Sequence, residues 1–267
     1  MILDTIAEKK RVEIAMARKA VPVGTLLEQA ENMPGAADFH AALKKPVASG
    51  YRIIAEVKKA SPSKGVLRKD FDPVAIARGY ERGGAAAVSV LTDEAFFMGS
   101  PEYLRMIKQS ISLPVFRKDF ILDEYQIHET RAWGGDAMLL IAALLDGRTL
   151  EGFLGIVSRA GMQALVEVHT GEELDMATGS GATIIGINNR DLNTFETDIG
   201  TTFSLLERVP SGVTVVSESG ITTQDDMYAL SRAGVDAFLI GEALMRAGSP
   251  GEKLAQLAGA VRENGQQ

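Results

Sequence analysis

Hydrophobic positions along this chain follow two periods in succession. Ile2, Leu3, Ile6, Val12, Ile14 and Met16 stand among Lys, Arg and Glu, and a second such piece runs from Thr25 to Ala30. This helical spacing predicts an amphipathic N-terminal extension over residues 1–50, mostly helix. From residue 51 the pattern changes to short β-branched and aliphatic runs, each followed by a polar or glycine-rich turn and an amphipathic stretch. The runs are RIIAEVK (52–58), AAVSVL (86–91), PVFRK (114–118), AMLLIA (137–142), QALVEV (163–168), TIIGIN (183–188), VTVVSES (213–219) and DAFLIG (236–241). Their spacing is that of a strand, a loop, a helix and a return loop, so each run reads as a βα unit with parallel strands. "RGGAAAV", "WGGDAML" and "RAGVDAFL" place glycine where a helix ends and the chain turns back into the sheet.

Eight such units predict an α/β fold, a closed (β/α)8 barrel of the TIM type over residues 51–267, forming a single domain with the helical extension. No GxGxxG follows a strand, and GSGATI (179–184) precedes one, which argues against a dinucleotide-binding sheet. The residues after the eighth run leave room for one last helix and not for a fused second enzyme.

In such a barrel the loops after the strands' C-terminal ends build the active site, and here polar residues recur at those ends. Glu56 and Lys58 close the first run, Lys118 and Asp119 the third, Glu167 the fifth, Asn188 and Arg190 the sixth, Glu218 and Ser219 the seventh. Alternation puts Glu56 and Lys58 on one face and Lys59 on the other. One charge at a strand end is usually an ion pair or a solvated group. Charges at five ends argue for a site, because desolvating them is costly and a plug is built more cheaply from apolar residues. A lysine pressed among cations or apolar walls loses proton affinity and serves as a general acid; a glutamate near apolar surface gains it and serves as a base. Lys58 and Lys118, opposed by Glu56 and Glu167, suit both roles, and a Schiff-base lysine is the rival use. Asp119 either holds Lys118 or caps the third barrel helix.

The last two loops also suit a phosphate. "SESGI" sets Gly220 after Ser219, and "LIGEALM" sets Gly241 at a strand end opening a short helix, where glycine lets backbone N–H groups approach an oxyanion. Ser61 and Ser63 add donors from loop one, whereas the carboxylate of Glu242 is helpful only if it turns away. Composition narrows the remaining classes. Zero cysteines exclude disulfides and thiolate chemistry, and three scattered histidines show no metal-ligand spacing. A net charge of −7 argues against general nucleic-acid affinity. No run is long and apolar enough for a membrane span, and the N-terminus lacks signal-peptide order, so a soluble cytoplasmic protein is expected.

"IIAEVKKASPSKG", "LTDEAFFMGS", "PVFRKDFILDEYQI", "ALVEVHT", "GINNRDL", "SESGI" and "FLIGEALM" resemble, in order and spacing, the motif set of the indole-3-glycerol phosphate synthase family. The resemblance implies a carboxy-lyase of tryptophan biosynthesis that closes the pyrrole ring of 1-(2-carboxyphenylamino)-1-deoxyribulose 5-phosphate with loss of carbon dioxide and water, using no cofactor or metal. It implies Lys118 as the acid that protonates the ketone and Glu167 as the base in the later dehydration. Lys58 is expected on the substrate carboxylate, sharing the acid role, with Glu56, Asn188 and Ser219 orienting these groups. Ser61, Gly220, Gly241 and Glu242 are expected on the phosphate, and Phe97, Phe120 and Leu139 along the aromatic ring. Arg190 is expected near Lys58 and the first loop, with Pro62 to Gly65 free to close over the substrate. The expected partner is a small phosphorylated molecule, with no nucleic acid or membrane, and the expected state a monomer or weak homodimer. A phosphoribosylanthranilate isomerase would want a cysteine, and a non-catalytic barrel would lack charges at its strand ends.

Overall fold

The computed structural model describes residues 2–44, 50–191 and 194–259. All eight runs form strands: Ile53–Val57 (β1), Ala87–Leu91 (β2), Val115–Lys118 (β3), Ala137–Ile141 (β4), Gln163–Val168 (β5), Ile184–Asn188 (β6), Thr214–Glu218 (β7) and Ala237–Ile240 (β8). They pair in parallel and in sequence order, and β8 pairs with β1, so the barrel is closed. The strands are buried along almost their whole length, which is why they read as apolar runs.

The connecting helices begin where side-chain caps occur. Asp72 accepts from Val74 and Ala75 N–H at the start of Pro73–Arg82, Asp146 from Thr149, and Thr223 forms a capping box with Asp226. Gly84, Gly134 and Gly234 take φ of 86°, 88° and 118° at the returns toward β2, β4 and β8, a conformation that favours glycine.

Strand parity sorts the core into two layers. Ile53, Ala55, Val88, Val90, Met138, Leu140, Ile185 and Ile187 pack outward against helices, while Ile54, Phe116, Leu139, Leu165, Val216 and Leu239 fill the barrel. The extension forms three helices, Ile2–Ala20 (α1), Val23–Glu31 (α2) and Phe39–Lys44 (α3), and it reaches both ends of the barrel. At the N-terminal end, Phe39 of α3 stacks on Phe116 with centroids 5.3 Å apart, and Leu43 joins the same cluster. His40 N–H donates to Gln163 at 2.9 Å, fixing this plug to β5. At the opposite end, α1 brings Ile2, Leu3 and Ile6 to the barrel mouth.

Candidate active site

Following each inward row upward gives the site. Ile54 leads to Glu56 and Lys58, Phe116 to Lys118, Leu165 to Glu167, Val216 to Glu218, and Ile184 through Gly186 to Asn188. The lower barrel is apolar and the upper layer ionic. Lys118 Nζ lies 2.8 Å from Glu167 Oε2 and 3.4 Å from Glu218 Oε2, and Lys58 pairs with Glu56. Two inward glycines make room for the carboxylates. A Cβ on Gly186 would stand 2.1 Å from Glu218 Oε1 and 2.4 Å from Leu165 Cδ2, and one on Gly241 would stand 2.3 Å from Glu56 Oε1.

The electrostatics reverse the expectation for the acid and the base. Burial opposes the Lys118 charge, but Glu167, Glu218 and Glu56 outweigh it and raise its proton affinity. Carboxylates surround this lysine where cations or apolar walls were expected. Burial likewise pushes Glu167 upward, yet Lys118 and His169 overcome this and lower it. The carboxyl that is raised is Glu218, pushed up to about 7 by burial and by Glu167 and Glu56, against the pull of Lys118. Glu218 was visible at its strand end but drew no role from the motifs; its parity with Val216 is the signal that places it inward.

These side chains border a cavity of about 480 Å³, within the size range of small-ligand sites. Every residue expected from sequence lines it: Lys118, Glu167, Lys58, Glu56, Asn188 and Ser219, with Ser61, Phe97, Phe120, Leu139, Arg190, Gly220, Gly241 and Glu242. Phe97 and Phe120 stand with centroids 6.1 Å apart along one wall. Opposite, Ser219 and Gly220 take φ of 65° and 77°, and Asn189 Nδ2 holds the Ser219 carbonyl at 3.1 Å. The Glu242 carboxylate turns to Arg246 Nε (3.0 Å) and Arg190 NH2 (3.5 Å). Arg190 also donates to the Phe195 carbonyl, so loops six and eight orient it. Arg246 lines the cavity as a further cation that no motif had marked.

The first loop closes on itself as a short hairpin. Ala60 and Ser61 pair antiparallel with Val66 and Gly65, and Leu67 N–H reaches the Lys59 carbonyl at 2.8 Å. Lys59 sits over the Phe71 ring, away from the cavity, as its parity requires.

Beneath the aromatic wall lies a buried ionic cluster of which the sequence had marked Asp119 alone. Lys10 of α1 places Nζ 2.8 Å from Asp93 Oδ2, 3.0 Å from Asp119 Oδ1 and 2.7 Å from Glu13. Asp93 caps the helix Glu94–Phe97, and Asp119 accepts from Phe120 N–H at 2.8 Å and from Arg117 at 2.9 Å. Asp119 therefore does not cap the third barrel helix; Asp123 does, through Tyr125 N–H.

The family model for indole-3-glycerol phosphate synthase matches residues 3–257. The indole-3-glycerol phosphate synthase of Paracidovorax citrulli is 50% identical over 261 residues, covering 96% of this chain and 98% of the relative. That of Alkaliphilus metalliredigens is 49% identical over 257 residues, with the same coverages. Among solved structures, a 3-hexulose-6-phosphate synthase superposes with TM-score 0.64 at 13% identity, covering 79% of this chain and 99% of that one. A thiamine phosphate pyrophosphorylase from Pyrococcus furiosus reaches 0.60 at 18% identity, covering 79% and 96%. At such identities these two show likeness of fold alone.

Proposed function

The chain belongs to the indole-3-glycerol phosphate synthase family, the decarboxylating lyases of EC 4.1.1.48 in tryptophan biosynthesis, and we propose that its barrel mouth runs that ring closure by acid–base chemistry between Lys118 and Glu167. The observation that carries this reading is the ammonium of Lys118 held 2.8 Å from Glu167 at the end of a cavity with an aromatic wall on one side and glycine-rich loops on the other.

The substrate's aryl ring lies between Phe97, Phe120 and Leu139, and its phosphate on Ser61, Gly220, Gly241 and Glu242, the last two through backbone N–H, while Ser219 helps to orient the hydroxyls. Lys58, itself held by Glu56, takes the ring carboxylate and shares the acid role. Lys118 protonates the ketone oxygen as the carboxylate-bearing ring carbon attacks. Loss of carbon dioxide returns its electron pair to the resulting iminium. The new hydroxyl then leaves as water with a second proton, while Glu167 removes the proton from the neighbouring carbon; Asn188 orients the hydroxyls. Two protons enter and one returns, so each turnover takes one proton from solvent. Lys118 held charged favours the acid over a Schiff-base nucleophile, which needs a neutral amine.

The enzyme acts in the cytoplasm as a monomer or weak homodimer on this small phosphorylated substrate and binds no nucleic acid, in keeping with its net charge of −7. No helix among the described residues is long and apolar enough to cross a membrane.

Indole fluorescence with 1-(2-carboxyphenylamino)-1-deoxyribulose 5-phosphate tests the assignment. Lys118→Ala and Glu167→Gln should each lose at least about a hundredfold in kcat, the low end for a positioned acid or base. Parent-like turnover by Lys118→Ala, or a borohydride-trapped adduct on Lys118, would overturn it.

A further inference from the structure

Glu167 and Lys118 sit below the mouth, and a bound substrate covers them, yet the reaction draws one proton per turnover from solvent. His169 lies on the way out. It is the next inward position after Leu165 and Glu167, one residue past the end of β5. Its Nε2 is buried, has no hydrogen-bond partner, and points at Glu167 Oε1 from 3.6 Å. Its other side is fixed: Glu173, on the helix Gly171–Gly179, accepts the His169 backbone N–H at 2.7 Å and lies 3.3 Å from Nδ1. Side-chain exposure rises outward, from 3% at Glu167 to 13% at His169 and 20% at Glu173.

We infer that His169 is the proton entry to the site, relaying solvent protons through Glu167 to Lys118, with Glu173 orienting the imidazole. The inference rests on Glu167 and Lys118 acting as base and acid. In the step, imidazolium Nε2–H passes to Oε1 of ionised Glu167, the carboxyl turns so that this same proton faces neutral Lys118 and passes to it across their contact, and neutral His169 regains a proton from solvent beside Glu173, which leaves Glu167 ionised again. No bond other than N–H and O–H forms or breaks. The 3.6 Å gap is wider than a hydrogen bond and too short for an intervening water; catalytic contacts of this kind tighten when substrate binds. The charged groups facing His169 are Glu173 from its own loop and helix, Glu167 from β5 and Glu218 from β7. Burial works against the imidazolium, but these three carboxylates outweigh it and raise its proton affinity. A merely structural histidine would have its second nitrogen satisfied.

The test is the pH profile of kcat with and without added imidazole. His169→Ala should lower kcat by between about tenfold and a hundredfold, at or below the low end for a positioned proton donor, with KM little changed. Free imidazole should restore kcat in proportion to its concentration. Glu173→Gln, which keeps the imidazole but removes the outer charge, should move the alkaline limb of the kcat profile to lower pH. A His169→Ala kcat within twofold of parent, or a loss that imidazole does not restore in folded protein, would overturn the relay. If His169→Ala does not fold, an unmoved Glu173→Gln profile overturns it. Glu167→Gln separates the two levels: parent-like turnover there removes the base itself, whereas its loss beside a parent-like His169→Ala removes only the relay.

Discussion

Replacing Lys10 by methionine tests whether α1 is tied to the catalytic barrel by charge or by apolar contact. The ammonium is buried and serves three carboxylates, with Asp93 at 2.8 Å, Asp119 at 3.0 Å and Glu13 at 2.7 Å. Burial opposes its charge, but Asp119 and Asp93 outweigh this and raise its proton affinity. Its contribution is therefore whole at neutral pH and fades only as pH rises past the ordinary lysine range. After Lys10→Met, Asp119 keeps Arg117, Thr92 and the Phe120 N–H, but the buried Oδ2 of Asp93 has no hydrogen bond to fall back on. Breaking a buried pair from one side costs about 3–5 kcal/mol; with Asp119 still paired, the loss should sit near the lower figure. Removing both charges in Lys10→Met/Asp93→Asn should recover most of it, since an apolar replacement of a whole pair is often near neutral. Urea unfolding of parent, singles and double measures this, and thermal melts should fall by on the order of 10 °C in Lys10→Met. A loss below about 1 kcal/mol, or single losses that simply add in the double, would refute the account. Because α1 carries Ile2, Leu3 and Ile6 into the cavity, KM for substrate should also rise in the single variant.

Glu218, whose pKa is pushed up to about 7, binds a proton in the folded state that the unfolded chain has already lost, so parent stability should fall as pH rises from the ordinary carboxyl range to 7. Glu218→Gln should lack that fall, and identical pH slopes in urea titrations of both proteins would reject it. Gly220→Ala puts a Cβ 2.6 Å from Thr197 Cγ2 at a φ of 77°, and the left-handed conformation alone costs about 1–2 kcal/mol. It should raise KM and weaken inhibition by inorganic phosphate, while unchanged inhibition would move the phosphate site elsewhere.

Much of this molecule is legible without coordinates. Eight runs separated by helix-length segments specify the barrel, and period-two alternation alone places Ile54 low and Glu56 and Lys58 above it on one inward row, with Lys59 excluded. The motif set gathered residues that prove to line one cavity. These properties are local: each follows from strand geometry and turn chemistry over a few residues. What only the tertiary structure decided depends on groups that the closed barrel brings together from distant segments. The proton affinities of Lys118 and Glu167 went opposite to expectation because β3 and β5 bring the two into contact, with Glu218 of β7 adding to the field on the lysine and His169 to that on Glu167. The amphipathic pattern of α1 marked a buried face but not its partner, and Lys10 looks in sequence like any solvated lysine until Asp93 and Asp119 meet it. His169 reads as a lone histidine until its unsatisfied nitrogen is found facing Glu167. Alternation tells a side chain which way to point; the field it meets there is a sum over neighbours that sequence distance does not order.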